Sequence, residues 1–253
     1  MTEATLVTFP PSLDSEFSRF LLAYYGLPHR EERHTLVFSS LVTVRRGHTV
    51  RFPLLSDGGA ELATVAEMVD HLEARTAPER RLRPDDADPA DLAADWRLFH
   101  RTLASATTVF AYYHLLPLRP VMVHALGDGT SAVERTAVRV GYPFFAGLLR
   151  GLLRLTATRE RAAAATIGTV LGAVGERLAD GRPYLSGDRF TLSDLAFAVA
   201  AAPVVWPDEF GGAIPPLRDT PPPLRAMIDE SRRTPAGAHA LRVFHTHRDP
   251  RPG

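Results

Sequence analysis

The chain contains no cysteine, lysine, asparagine or glutamine. Without cysteine, disulfides, thiolate zinc sites, iron–sulfur clusters and a thiol nucleophile are excluded. Without lysine, Schiff-base and P-loop chemistry are excluded too, and no side-chain amide can line a site. All 29 basic residues are therefore arginines, a bias that fits a GC-rich genome better than a functional demand. Net charge is also lacking, with 29 basic residues against 29 acidic ones. Overall charge thus favours neither nucleic acid nor an anionic membrane as a partner, and small molecules or protein surfaces are left. The longest apolar run, Leu195 to Trp206, is interrupted by Pro203 and is too short to span a bilayer. Met1-Thr2-Glu3 opens no basic signal region, so a cytoplasmic protein is expected. Catalytic candidates reduce to Ser, Thr, Tyr, His, Asp, Glu and Arg.

What is present has the composition of a globular chain, 45% hydrophobic and 23% charged over 253 residues, enough for one large domain or two ordinary ones. Ala4 to Phe9 predicts a strand, and Ser12 to Tyr25, with Phe17, Phe20, Leu21 and Tyr24 at helical spacing, predicts a helix ended by Gly26. A second strand is expected at 33–38, followed by an irregular or weakly helical piece to Arg46. A hairpin is expected over 49–62 around Ser56-Asp57-Gly58-Gly59, then a helix over 64–75. The Pro- and Asp-rich stretch 77–91 predicts a linker between domains 1–76 and 92–253. Beyond it, helices are expected at 89–116, 131–155, 159–179, 191–202, 223–231 and 236–247, with Pro117, Pro120 and Gly127 as breakers. Residues 203–223, rich in proline, predict an irregular covering loop.

Thr191-Leu192-Ser193-Asp194 has the form of a helix capping box, with Phe190 and Leu195 as a staple. Together with the preceding Tyr184-Leu185-Ser186-Gly187-Asp188, it resembles the capped core helix of the glutathione transferase superfamily. The order of the other motifs is similar. Ser12-x-x-Ser15 after the first strand looks like the serine-type active-site loop, and Phe52-Pro53-Leu54-Leu55 like the step at which a cis-proline starts the third strand. The resemblance implies an α/β thioredoxin-like N-terminal domain, an all-helical C-terminal domain, and a homodimer.

It also implies a site. Ser12, with Ser15 as understudy, would hydrogen-bond a thiol and favour its thiolate; the plainer reading is that either serine only caps the helix. Phe52 and a cis Pro53 would pair with the peptide of glutathione. The acidic residue and serine that should open the last helix of the first domain are replaced by Thr64 and Val65. Thr64 can offer one hydrogen bond and Val65 none, so glutathione, or another low-molecular-weight thiol, is expected to bind weakly or not at all. Phe110, Tyr112, Tyr113 and His114, with Trp206 and Phe210 as cover, are candidate substrate contacts, although an aromatic stripe at helical spacing is more often plain core. His245-x-His247 is a weak metal signal, and no metal is expected.

Three functions follow. The first is a glutathione-transferase-like enzyme acting on a hydrophobic electrophile, with Ser12 orienting a thiolate or a substrate oxygen. The second is a glutathione-independent isomerase, lyase or cyclase of a bulky metabolite in the same cleft. The third is a non-catalytic ligand carrier or assembly module.

Overall fold

A computed structural model of the chain describes residues 3–48 and 52–248. Four strands form one sheet in the order β2-β1-β3-β4. The inner strand β1 (Ala4–Thr8) pairs parallel with β2 (His29–Arg33) and antiparallel with β3 (Leu54–Asp57), which turns into β4 (Ala60–Leu62). The turn residues Gly58 and Gly59 have φ of 58° and 88°, the left-handed pair that a two-residue hairpin requires. The hairpin's expected first residues, 49–51, lie outside the described residues. α1 (Leu13–Tyr25) and α3 (Val65–Glu73) contribute Phe17, Phe20, Met68 and Leu72 to the core. The Phe52-Pro53 peptide bond is cis, as expected.

The second strand is not where the apolar pattern puts it. β2 is the charged run 29–33, paired in register from Ala4↔His29 to Thr8↔Arg33, while 36–45 forms helix α2 (Leu36–Arg45). An edge strand tolerates charge when its side chains find partners. Here Glu31 binds Arg19 at 2.7 Å and Arg33 at 3.0 Å. Burial opposes ionisation of Glu31, but these two arginines and the Thr8 hydroxyl hold its carboxyl below the usual range.

From Pro89 the chain is helical. α4 (Pro89–Trp96), a π-helical stretch at Arg97–Leu103 and α5 (Ala104–Leu115) run on as one long helix. Next come α6 (Arg119–Gly127), α7 (Ala132–Val140) and α8 (Tyr142–Leu152). Pro120 does not break the chain: it sits in the first turn of α6, where its missing N–H costs nothing. Gly141 divides the single helix expected over 131–155. α9 (Ala157–Arg177), α10 (Leu192–Val205), α11 (Pro222–Arg233) and α12 (Pro235–His247) complete the bundle around the buried α10. α10 runs past its expected end at 202 because Pro203 is taken into its last turn, and Trp206 stops it in the left-handed conformation, φ 56°.

The start of α10 depends on Asp194, which is fully buried. Its carboxylate accepts from the Thr191 N–H at 3.0 Å, the Thr191 hydroxyl at 2.9 Å and the Leu185 N–H at 2.8 Å, and His239 Nε2 lies 3.0 Å away. One side chain thus ties the preceding loop, the helix start and α12 together.

Candidate functional site

The turn after β1 brings Phe9, Pro11 and Ser12 to the wall of a cleft of about 360 Å³ between the sheet domain and the bundle. Leu36 and Phe52 continue that wall. Opposite stand His100, Arg101, Ser105, Thr108 and Tyr112 of the long helix, with Leu149, Leu152 and Leu153 near the end of α8. Phe9 and Phe52 meet edge to face at 5.5 Å.

Ser12 caps α1. Its hydroxyl oxygen accepts the Ser15 N–H at 3.4 Å, and its own proton goes to no group among the described residues. A hydroxyl at a helix N-terminus with a free proton can stabilise an anion in the cleft. Ser15 cannot share that role, because it is fully buried and its oxygen accepts from the Phe9 N–H at 3.2 Å.

Tyr112, with Pro11, Leu13 and Thr108, lines both the cleft and an inner apolar chamber of about 70 Å³. Trp206 and Phe210 line that chamber, Trp206 being fixed by its indole N–H to the Pro215 carbonyl at 3.0 Å. Burial alone pushes the Tyr112 hydroxyl above the ordinary tyrosine range, with no charge or hydrogen bond contributing, so it is a neutral donor at physiological pH. Phe110, Tyr113 and His114 do not join it. Phe110 is core, and His114 is enclosed by Phe110, Tyr113 and the Glu160 carboxylate at 3.2 Å.

The cleft has polar groups that were not singled out from the sequence, Asp14, His100, Arg101, Ser105 and Thr108, of which His100 and Arg101 lie in the π-helical stretch. His100 stacks on Trp96 at 4.2 Å, and its Nε2 lies 3.0 Å from the Asp14 carboxylate, off the hydrogen-bond direction. Arg101 has no acidic partner among the described residues and is free to meet an anionic ligand. The spacing 101-105-108-112 could have identified this face. Its small hydroxyl residues make it less conspicuous than the aromatic run that follows.

At the start of α3 the residues do not fit glutathione's γ-glutamyl end. Thr64 caps the helix by accepting the Glu67 N–H at 3.2 Å, and the Glu67 carboxylate accepts both the Ala63 and Thr64 N–H groups at 2.9 Å. An internal carboxylate thus already engages two backbone donors just before the helix start, and the Val65 side chain is buried and offers no hydroxyl. Neither Thr64 nor Pro53 lines the cleft. His245 and His247 point to separate partners, Glu209 at 3.4 Å and the Tyr184 hydroxyl at 2.9 Å.

No protein-family model and no curated protein matches the chain. Solved structures do. The glutathione S-transferase CsGST63524 of Ceriporiopsis subvermispora, in complex with glutathione, aligns with a TM-score of 0.62 at 17% identity and 100% coverage of both chains. The glutathione transferase GSTFuA3 of Phanerochaete chrysosporium aligns at 0.61 and 16% identity, covering 97% of each chain. The beta-etherase LigF of Sphingobium sp. strain SYK-6 aligns at 0.52 and 18% identity, covering 95% of this chain and 99% of its own. With the cis-proline step, the four-stranded mixed sheet and the capped core helix in place, the chain has the glutathione S-transferase fold.

Proposed function

We propose that the chain is a glutathione-transferase-like enzyme acting on an apolar, electrophilic small molecule held in the cleft between Phe9, Phe52, Tyr112 and the end of α8. The observation that carries this reading is the uncommitted Ser12 proton at the start of α1, facing that cleft. Ser12 donates to the anion that reacts or develops there, a thiolate or a substrate oxygen. Tyr112 offers a second donor to the ligand, and Arg101 holds an acidic substituent. Such a site acts by orientation and by stabilising charge.

The start of α3 bears on which anion Ser12 serves. The Glu67 carboxylate favours a thiol other than glutathione, or no thiol at all, in which case the reaction is an isomerisation, elimination or cyclisation of the bound molecule. The fold resemblance adds a two-fold homodimer to the proposal, with a mass by light scattering near twice 27.7 kDa.

The test is conjugation of 1-chloro-2,4-dinitrobenzene with a panel of low-molecular-weight thiols, run beside displacement of an apolar fluorescent probe from the cleft. Ser12→Ala is expected to leave probe binding intact and to lower turnover by roughly tenfold to a hundredfold, the value of a hydrogen bond to a charged group. Turnover unchanged by Ser12→Ala overturns the role of Ser12. A probe that never enters the cleft overturns the site.

A further inference from the structure

All seven exposed large hydrophobic side chains among the described residues lie on α2, α7 and α8. α2 is built inside out. Its buried Ser39 and Thr43 hydroxyls donate to Leu36 and Ser40 carbonyls of the same helix, while Val37, Leu41 and Val44, at spacings of four and three, face outward. On α7, Val133 and Val140 are 72% and 74% exposed; on α8, Phe144 and Leu152 are 66% and 63% exposed. The helices meet around one opening. Glu134 of α7 accepts the Thr35 N–H at 2.8 Å and contacts His34 at 2.9 Å, and Leu36 shares the cleft wall with Leu149 and Leu152.

The charge of this face is one-sided although the whole chain is neutral. No Asp or Glu occurs from Arg33 to Ser56 or from Arg135 to Arg159, and the second segment carries five arginines. The bracketing acids are already engaged, Glu32 with Arg46, Glu134 with His34 and Glu160 with His114. Arg150 and Arg154 of this second segment have no acidic partner among the described residues. Arg150 is exposed on α8, on the other side of the exposed surface from the Phe144, Leu148, Leu152 stripe that recurs every four residues, and Arg154 is exposed just past the end of the helix. A second copy packed here across a two-fold axis would present the same surface, and α8 would bring no acidic side chain to meet these arginines. An apolar stripe flanked by unpaired arginines suits an anionic lipid surface, with the stripe at the acyl boundary and the guanidinium groups among the headgroups.

We propose that the α2–α7–α8 face docks on an anionic bilayer, lying on it without spanning it. The cleft then opens at the lipid boundary, and an apolar substrate dissolved in the membrane enters without crossing water; this last step rests on the cleft reading above.

The experiment is co-sedimentation of the full chain with phosphatidylcholine vesicles, with and without one third phosphatidylglycerol. Binding is expected to the anionic vesicles and to weaken with salt. Arg150→Gln with Arg154→Asn should lower the partition coefficient roughly 25-fold, about fivefold per arginine. The exposed set Leu41→Ser, Val140→Ser and Phe144→Ser should lower it at least about tenfold. Circular dichroism checks the fold, and Phe144→Ser alone replaces the triple variant if that one unfolds. Absence of binding to anionic vesicles, or equal binding by all variants, overturns the proposal. So does a self-association that Phe144→Ser dissolves. Because probe entry into the cleft is measured without vesicles, failure here leaves the cleft reading standing.

Discussion

Glu67 is the residue whose replacement most directly tests how this cleft differs from an ordinary glutathione site. Its carboxylate holds the Ala63 and Thr64 N–H groups at 2.9 Å each. A ligand carboxylate reaching for the same donors would sit about 4 Å from it, and two like charges at that distance on an exposed surface repel by about 1 kcal/mol. Glu67→Gln removes the charge but keeps an acceptor in the capping box, so glutathione should tighten only about fivefold. Glu67→Ala also frees both donors. A hydrogen bond to a charged group is worth about 1.5–3 kcal/mol, so the gain should reach roughly tenfold to a hundredfold, at a cost of about 0.5–2 kcal/mol of stability from the lost cap. Calorimetry with glutathione gives the affinities and urea unfolding gives the stabilities. The unmodified chain should bind in the millimolar range or not at all. Micromolar binding by it, or no gain in a folded Glu67→Ala variant, would refute the reasoning.

Other expectations concern the frame. Asp194→Ala strands three donors and a buried histidine and should lower the unfolding free energy by about 3–5 kcal/mol; a loss below about 1 kcal/mol in urea titration would mean that the capping cluster is not what secures α10. Tyr112→Phe removes a hydroxyl raised by burial alone, so a tyrosinate absorbance titration of the folded chain should be unchanged up to about pH 11; loss of a tyrosinate signal below that pH would show that the phenol is solvated. Glu31 has a depressed folded pKa, so the stability it contributes is complete above its unfolded pKa of about 4.3 and is lost as pH falls through the folded value. Glu31→Gln should therefore flatten the stability profile below about pH 4, and an identical profile would contradict the assignment.

Much of the fold was legible because it is written in local patterns. The cap at Thr191 and Asp194, the Gly58-Gly59 turn and the apolar face of α1 each specify their element within a few residues. β2 was not legible, since His29-Arg30-Glu31-Glu32-Arg33 has no apolar alternation; it is a strand only because β1 lies beside it and Arg19 reaches Glu31. Pro120 and Pro203 misled for another reason: Pro120 stands in the first turn of α6, which tolerates a missing N–H, and Pro203 gives up one backbone bond near the end of the fully packed α10. At the site, Ser12 and Phe52 could be placed because they follow a strand and precede a cis-proline. His100 was harder to place, since its aim depends on a π-helical stretch that propensity does not encode, while Arg101 was open to the 101-105-108-112 spacing. Tyr112 is one of four neighbouring candidates, and only packing separates it from Phe110, Tyr113 and His114. Glu67 is an ordinary capping residue in sequence, and its effect appears only once both N–H groups are seen on one oxygen.

The charges under the covering loop bear on how the chain comes apart. Buried Glu16 of α1 accepts the Gly211 N–H at 2.8 Å and contacts Arg19 at 3.2 Å and Arg248 at 3.2 Å. Arg33 of β2 donates to the Gly211 carbonyl at 2.9 Å and binds Asp128 at 2.6 Å. Residues from both ends of the chain thus share one set of ion pairs, with Glu16 and Arg19 buried and Arg33, Asp128 and Arg248 partly exposed, and parting the two halves breaks the Arg248–Glu16 and Arg33–Asp128 contacts. Contacts between the residues on its two sides thus bridge the segment 77–91. A protease cut there would leave two fragments still clasping one another, and heat would release them in a single step.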